Sequence, residues 1–142
     1  MFLRKIKHKT VILNNLNELD TISSDVELFG KNAILGTKII HTINIILDEL
    51  LSNIIFYSFT DKESHEIKVS FEKWRKTISM VIEYGGLEFD PRNAPEPDLE
   101  SSAVDRKIGG LGIHIVLKMA DTFHYQRKNG MNTIVIKLKI KD

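Results

Sequence analysis

The chain contains no cysteine among its 142 residues, which removes disulfides, thiolate metal centres and cysteine nucleophiles from consideration together. Proline is scarce: Pro91, Pro95 and Pro97 fall within one short stretch, so the rest of the chain can form regular elements without interruption. Uninterrupted apolar runs of membrane length are also missing. The most apolar stretch, residues 39–57, is broken by His41, Asn44, Asp48, Glu49 and Asn53. At the amino terminus, Arg4, Lys5 and Lys7 follow Met1, Phe2 and Leu3 too soon for the apolar core of a signal peptide. No sign of charge dominates, because 20 Lys and Arg face 19 Asp and Glu, and a net charge of +1 provides no general field for nucleic acid or an anionic membrane. The expectation is a single soluble, cytoplasmic domain covering residues 1–142, recognising its partners through a local site. Its 42% hydrophobic and 27% charged content suit an ordinary globular core.

Residues 10–13 form a short β-prone run. Leu16, Leu19, Ile22, Val26 and Phe29 then recur at helical spacing, and Gly30 suits the end of a first helix. A second helix is predicted over residues 37–57, where Ile39, Ile43, Ile46, Leu47, Leu50 and Ile54 fill one broad arc. Residues 65–73 and 77–84 alternate as two strands of a hairpin. Residues 87–108 hold all three prolines and many acids without a sustained period, and read as a long functional loop. A third helix begins near Gly112, and strands over 124–128 and 133–140 are joined through Asn129-Gly130, a strong hairpin signal. This order predicts an α+β fold: a two-layer α/β sandwich with a mixed, largely antiparallel sheet and helices on one face.

Three features carry candidate chemistry. Glu49 and Asn53 are four residues apart on the second helix, so both point into one space at the edge of the apolar arc. A carboxylate there can orient or deprotonate a hydroxyl, and an amide oxygen is a hard ligand suited to Mg²⁺. Gly109-Gly110-Leu111-Gly112 opens a helix after the long loop, where backbone N–H groups can approach phosphates. Third, a strand ends in Tyr84-Gly85-Gly86-Leu87-Glu88-Phe89-Asp90-Pro91. Each alone is compatible with an ordinary polar helix edge, loop-to-helix turn or strand exit. His8, His65, His114 and His124 show no metal-ligand spacing, His41 reads as a structural or exposed histidine on the polar side of the second helix, and Trp74 is either an edge anchor or a partner contact.

In their order and context, these features make the chain resemble the GHKL (Bergerat-fold) ATPase superfamily, and within it the bacterial anti-sigma-factor serine-protein kinase family. Asp48-Glu49-Leu50-Leu51-Ser52-Asn53 resembles the N box of that family, which implies Glu49 as general base and Asn53 as Mg²⁺ ligand. Gly109, Gly110, Leu111 and Gly112 resemble its second glycine box, residues 87–108 occupy the place of its ATP lid, and Thr133 in the closing hairpin matches a Thr near the adenine. The first glycine box of the family runs Asp-x-Gly-x-x-Phe-Asp-Pro, with the Asp accepting a hydrogen bond from the adenine amino group. Here Gly86, Phe89, Asp90 and Pro91 fit, but Tyr84 stands at the Asp position, and Tyr57 at a position often held by His. Strand parity places Tyr84 with Ile78, Met80 and Ile82, facing the helices, and turns Glu83 away.

The resemblance implies an ATP- and Mg²⁺-dependent serine/threonine protein kinase acting on an anti-anti-sigma (STAS) protein. It also implies a sigma factor or similar client, control of transcription by partner switching, and a homodimer. Tyr84 supports a second reading, a protein-binding module that keeps the fold without nucleotide turnover.

Overall fold

The computed structural model describes residues 4–94 and 112–141. β1 spans Ile6–Leu13, and a tight 3₁₀ turn over Leu16–Glu18 leads into α1, Leu19–Asn32. α2 follows over Thr37–Tyr57, then the hairpin of β2, Glu66–Trp74, and β3, Thr77–Tyr84. A 3₁₀ turn at Pro91–Asn93 lies within the predicted long loop; α3 covers Ile113–Met119, and β4, Thr122–Lys128, and β5, Met131–Lys139, close the chain.

The strands form one sheet in the order β1-β2-β3-β5-β4, with all four described pairs antiparallel, so the expected mixed sheet contains no parallel pair among the described residues. Alternation decides which side is covered. Ile67, Val69 and Phe71 on β2, Ile78, Met80 and Ile82 on β3, and Ile134, Ile136 and Leu138 on β5 are buried in the same core as the helix residues. Their neighbours Lys68, Ser79, Val81, Val135 and Lys137 point to the other side and keep partial or full exposure. The helices therefore lie on one face, as two-period and 3.6-period patterns sharing a core require.

α2 is long and apolar enough to cross a membrane. Its Ile43, Ile46, Leu47, Leu50, Leu51 and Ile54 are instead fully buried in the protein core. Burial of each such side chain contributes about 1.5–3 kcal/mol, so this helix organises the inner layer. Phe29 of α1 stacks on Phe71 of β2 with centroids 5.4 Å apart.

Three expected boundaries are corrected. β1 starts at Ile6 rather than at residue 10, since Ile6, His8, Thr10 and Ile12 alternate inward and pair with β2 from Lys73 to Ile67. The first helix starts at Leu19 because the Asn15 side chain accepts from the Asn17 N–H and caps the short turn instead. It also runs past Gly30 to Asn32. A Cβ on Gly30 would lie 2.6 Å from Ile40 Cδ1, so the glycine permits close packing of α1 on α2 rather than ending a helix.

Candidate functional site

The second half of α2 positions the candidate pair. Glu49 and Asn53 are 2% and 0% exposed, and Asn53 Nδ2 donates to Glu49 Oε1 at 3.4 Å. Two polar side chains this deeply buried are exceptional at the edge of an apolar helix. α2 packs against α3 and against the Pro91–Asn93 turn, which brings Gly112, the N-cap residue of α3, to the same layer. Gly112 has φ 86° and ψ 153°, a conformation essentially restricted to glycine. Gly109, Gly110 and Leu111, together with residues 95–108 of the candidate lid, lie outside the described residues.

The end of β3 is joined to the end of α2 by an interlocked turn. Ser58, immediately after α2, places its hydroxyl 3.0 Å from Gly85 O and 3.2 Å from Leu87 O, and its carbonyl accepts the Leu87 N–H at 2.8 Å. Gly86 has φ 73°, and a Cβ there would meet Ser58 O at 2.3 Å. Its place in the sequence pattern thus has a steric reason: the backbone of α2 approaches too closely for any side chain. Arg127 of β4 donates to Gly86 O at 3.0 Å. Asp90 caps the next turn by accepting the Arg92 N–H, with Pro91 in the first turn position, where its missing N–H costs nothing. The Asp90 carboxylate also holds the Arg92 guanidinium protonated above its ordinary range.

Tyr84 faces the helices as parity requires, and is 0% exposed. Its hydroxyl donates to Phe89 O at 2.6 Å. Burial, with Tyr125 nearby, pushes the phenol pKa up. At the expected acceptor position there is therefore a neutral donor already engaged with the backbone. Phe89 in turn packs on Tyr57 at 5.6 Å.

Thr133 requires a correction. It pairs with Glu83 and shares the half-exposed face with Val135, opposite the helices, so its side chain does not face Glu49 and Asn53. The β5 residue beside Tyr84 is Asn132, which is fully buried. Asn132 Nδ2 lies 3.1, 2.9 and 3.0 Å from the carbonyls of Tyr84, Gly85 and Leu87. Its Oδ1 accepts from Phe89 N at 3.2 Å and from the Tyr125 hydroxyl. Asn132 was legible in principle: it shares parity with Ile134, Ile136 and Leu138, and a polar residue at a core position calls for partners. Ser58, Tyr125 and Arg127 carried no comparable signal, because what they hold comes from elsewhere in the fold: backbone carbonyls for Ser58 and Arg127, the Asn132 amide oxygen for Tyr125.

The oxygen-rich Glu49/Asn53 pair fits a hard divalent cation and a reacting hydroxyl, whereas Tyr84 does not fit the role of a carboxylate acceptor for an amine. Residues 12–138 match the family described as the histidine kinase-like ATPase domain. The chain is also 30% identical over 95 residues to the serine/threonine-protein kinase BtrW of Bordetella bronchiseptica, covering 67% of each chain.

Proposed function

Because the chain belongs to the histidine kinase-like ATPase family, we propose that it is an ATP- and Mg²⁺-dependent serine/threonine protein kinase of the anti-sigma-factor type. Its substrate is a hydroxyl on a STAS-type anti-anti-sigma protein, its second client a sigma factor, and it acts in the cytoplasm as a homodimer by partner switching. The observation that carries this reading is the buried Glu49–Asn53 pair on α2. Phosphoryl transfer depends on positioning and charge neutralisation more than on covalent chemistry. In this reading Asn53 would hold Mg²⁺, and the cation would supply charge neutralisation at the phosphates. Glu49 orients the acceptor hydroxyl and takes its proton. The interlocked turn at Gly85, Gly86 and Leu87 fixes the position of β3 against α2, so the base-binding side keeps its place relative to the reacting side.

Glu49→Gln preserves the shape and the hydrogen bonding of the pair but removes the base. In a transfer assay with labelled ATP and a STAS protein, the variant is expected to lose at least about a hundredfold in rate while retaining nucleotide binding. Wild-type rates in this variant would reject the assignment.

Tyr84 favours a second reading, in which the chain binds partners without turnover. A charge-assisted contact to an amine contributes about 1.5–3 kcal/mol, so its loss weakens nucleotide binding roughly ten- to more than a hundredfold. Under this reading Tyr84→Asp restores nucleotide binding that the wild type lacks.

A further inference from the structure

The end of the molecule away from Glu49 and Asn53 collects features that the proposed chemistry does not use. Two turns and the segment after β5 converge there. Lys73 Nζ, near the end of β2, donates to Ala33 O after α1 at 2.8 Å, and Ile140 N, after β5, donates to Lys76 O in the β2–β3 turn at 2.7 Å. Between the start of α2, the end of α3 and the end of β5 lies an open groove of about 300 Å³. Its floor is aliphatic, formed by Ile39, Met119, Leu138 and Ile140, and Lys38 and Lys141 stand on its rim; Lys139 also borders it, at the end of β5, with the outward parity of Lys137. Among the described residues the one carboxylate lining it, Asp121, is turned onto the chain: Oδ2 accepts the Lys139 N–H at 2.6 Å. Lys73, Arg75 and Lys76 add positive charge on the adjoining turn. In a chain with a net charge of only +1, this concentration of cations is local.

We propose that this lysine-rimmed groove is a docking site for an acidic segment of a partner protein, anchored by one or two aliphatic side chains. The volume is about twice the ~150 Å³ that holds a benzene in an engineered apolar cavity, which suits an anchor of that size. Cations on the rim and apolar atoms on the floor match a segment that alternates acidic and aliphatic residues, and such complementarity favours both encounter and register. A nucleic acid fits less well. Among the described residues no aromatic ring lines the groove to stack a base; the exposed Trp74 lies outside it, at the adjoining turn, with Lys5 and Arg75 at 5.9 and 5.4 Å from its ring centroid. The groove is also separate from the candidate site, since residues 38 and 53 are roughly 22 Å apart along α2 at 1.5 Å per residue. Docking here leaves the site itself uncovered.

Fluorescence anisotropy with three labelled probes tests this: a synthetic peptide alternating Glu and Leu, a Glu/Ser peptide of the same charge, and a single-stranded oligonucleotide of matched charge. The Glu/Leu peptide is expected to bind saturably and about tenfold or more tighter than either other probe. Lys38→Glu with Lys141→Glu is expected to weaken it about tenfold or more without lowering the melting temperature, because a carboxylate is favourable in the first turn of α2. Should the double variant melt early, Lys141→Glu alone, outside every element, is expected to weaken binding measurably. Equal binding of the Glu/Ser peptide, tighter binding of the oligonucleotide, no saturable binding of the Glu/Leu peptide, or a Lys141→Glu variant that binds like wild type would each overturn the proposal. So would a change in oligomeric state in the variants, which would assign the face to self-association.

Discussion

Tyr84 concentrates the chemistry of the candidate site in one side chain. The ring is buried among core residues, and its proton is directed at Phe89 O rather than left to a solvent or ligand partner. This environment has a measurable consequence at high pH. In the unfolded chain the phenol titrates near its ordinary value of 10.0, whereas burial raises the folded value well above that. The unfolded chain therefore loses its proton first. The stability that Tyr84 contributes is complete below about pH 10 and declines as the pH rises further. Tyr84→Phe is expected to be less stable by about 0.5–1.5 kcal/mol at neutral pH through the lost hydrogen bond, but to lose less stability between about pH 9 and pH 11. Tyr125, whose pKa is also raised by partial burial, leaves some residual alkaline slope in the variant. Thermal melts across that range decide the matter, and identical alkaline slopes in the two proteins would count against a buried, neutral Tyr84.

Among the elements, the junction between α2 and β3 is the most sterically determined. A Cβ at Gly86 would meet the Ser58 carbonyl, part of the backbone, at 2.3 Å, whereas at Gly30 it would meet the flexible end of Ile40. Alanine also favours a helix over glycine by about 1 kcal/mol, which offsets part of the strain at position 30. Gly86→Ala is thus expected to cost about 1–3 kcal/mol or more, and Gly30→Ala distinctly less. Chemical denaturation of both variants tests the ranking; a larger loss at position 30 would contradict the account of this junction. The same contrast explains what could be read from the sequence. α2 was legible to its ends because one unbroken apolar arc admits one period, and β3 because Ile78, Met80, Ile82 and Tyr84 alternate without exception. β1 was read short because Lys7 and Lys9 conceal the inward alternation of Ile6, His8 and Thr10. The start of α1 was misread because Leu16 fits helical spacing while belonging to a capped turn. Within the candidate site, helical spacing shows only that Glu49 and Asn53 lie side by side; their roles are what the family resemblance implies. Thr133 was misplaced because a hairpin motif says nothing of strand parity, and Asn132 was overlooked because its partners are backbone carbonyls brought in from β3.

On the scale of the whole molecule, a nearly neutral chain separates its functions along α2. A buried carboxylate and an amide lie toward the end that meets β3, and a cationic groove lies at the end that meets the finish of β5. Among the described residues helices cover one side of the sheet, so the candidate site belongs to the helical layer and its junction with the sheet. This arrangement lets nucleotide chemistry and partner docking be altered independently: Glu49→Gln acts on the first, and Lys38→Glu with Lys141→Glu on the second. Everything proposed for the chemistry rests on nucleotide entering the site despite Tyr84. Isothermal titration of the wild-type chain with Mg-ATP tests this most directly. The account predicts saturable heat with a submillimolar dissociation constant, lost when Mg²⁺ is chelated; no heat at millimolar nucleotide would contradict it.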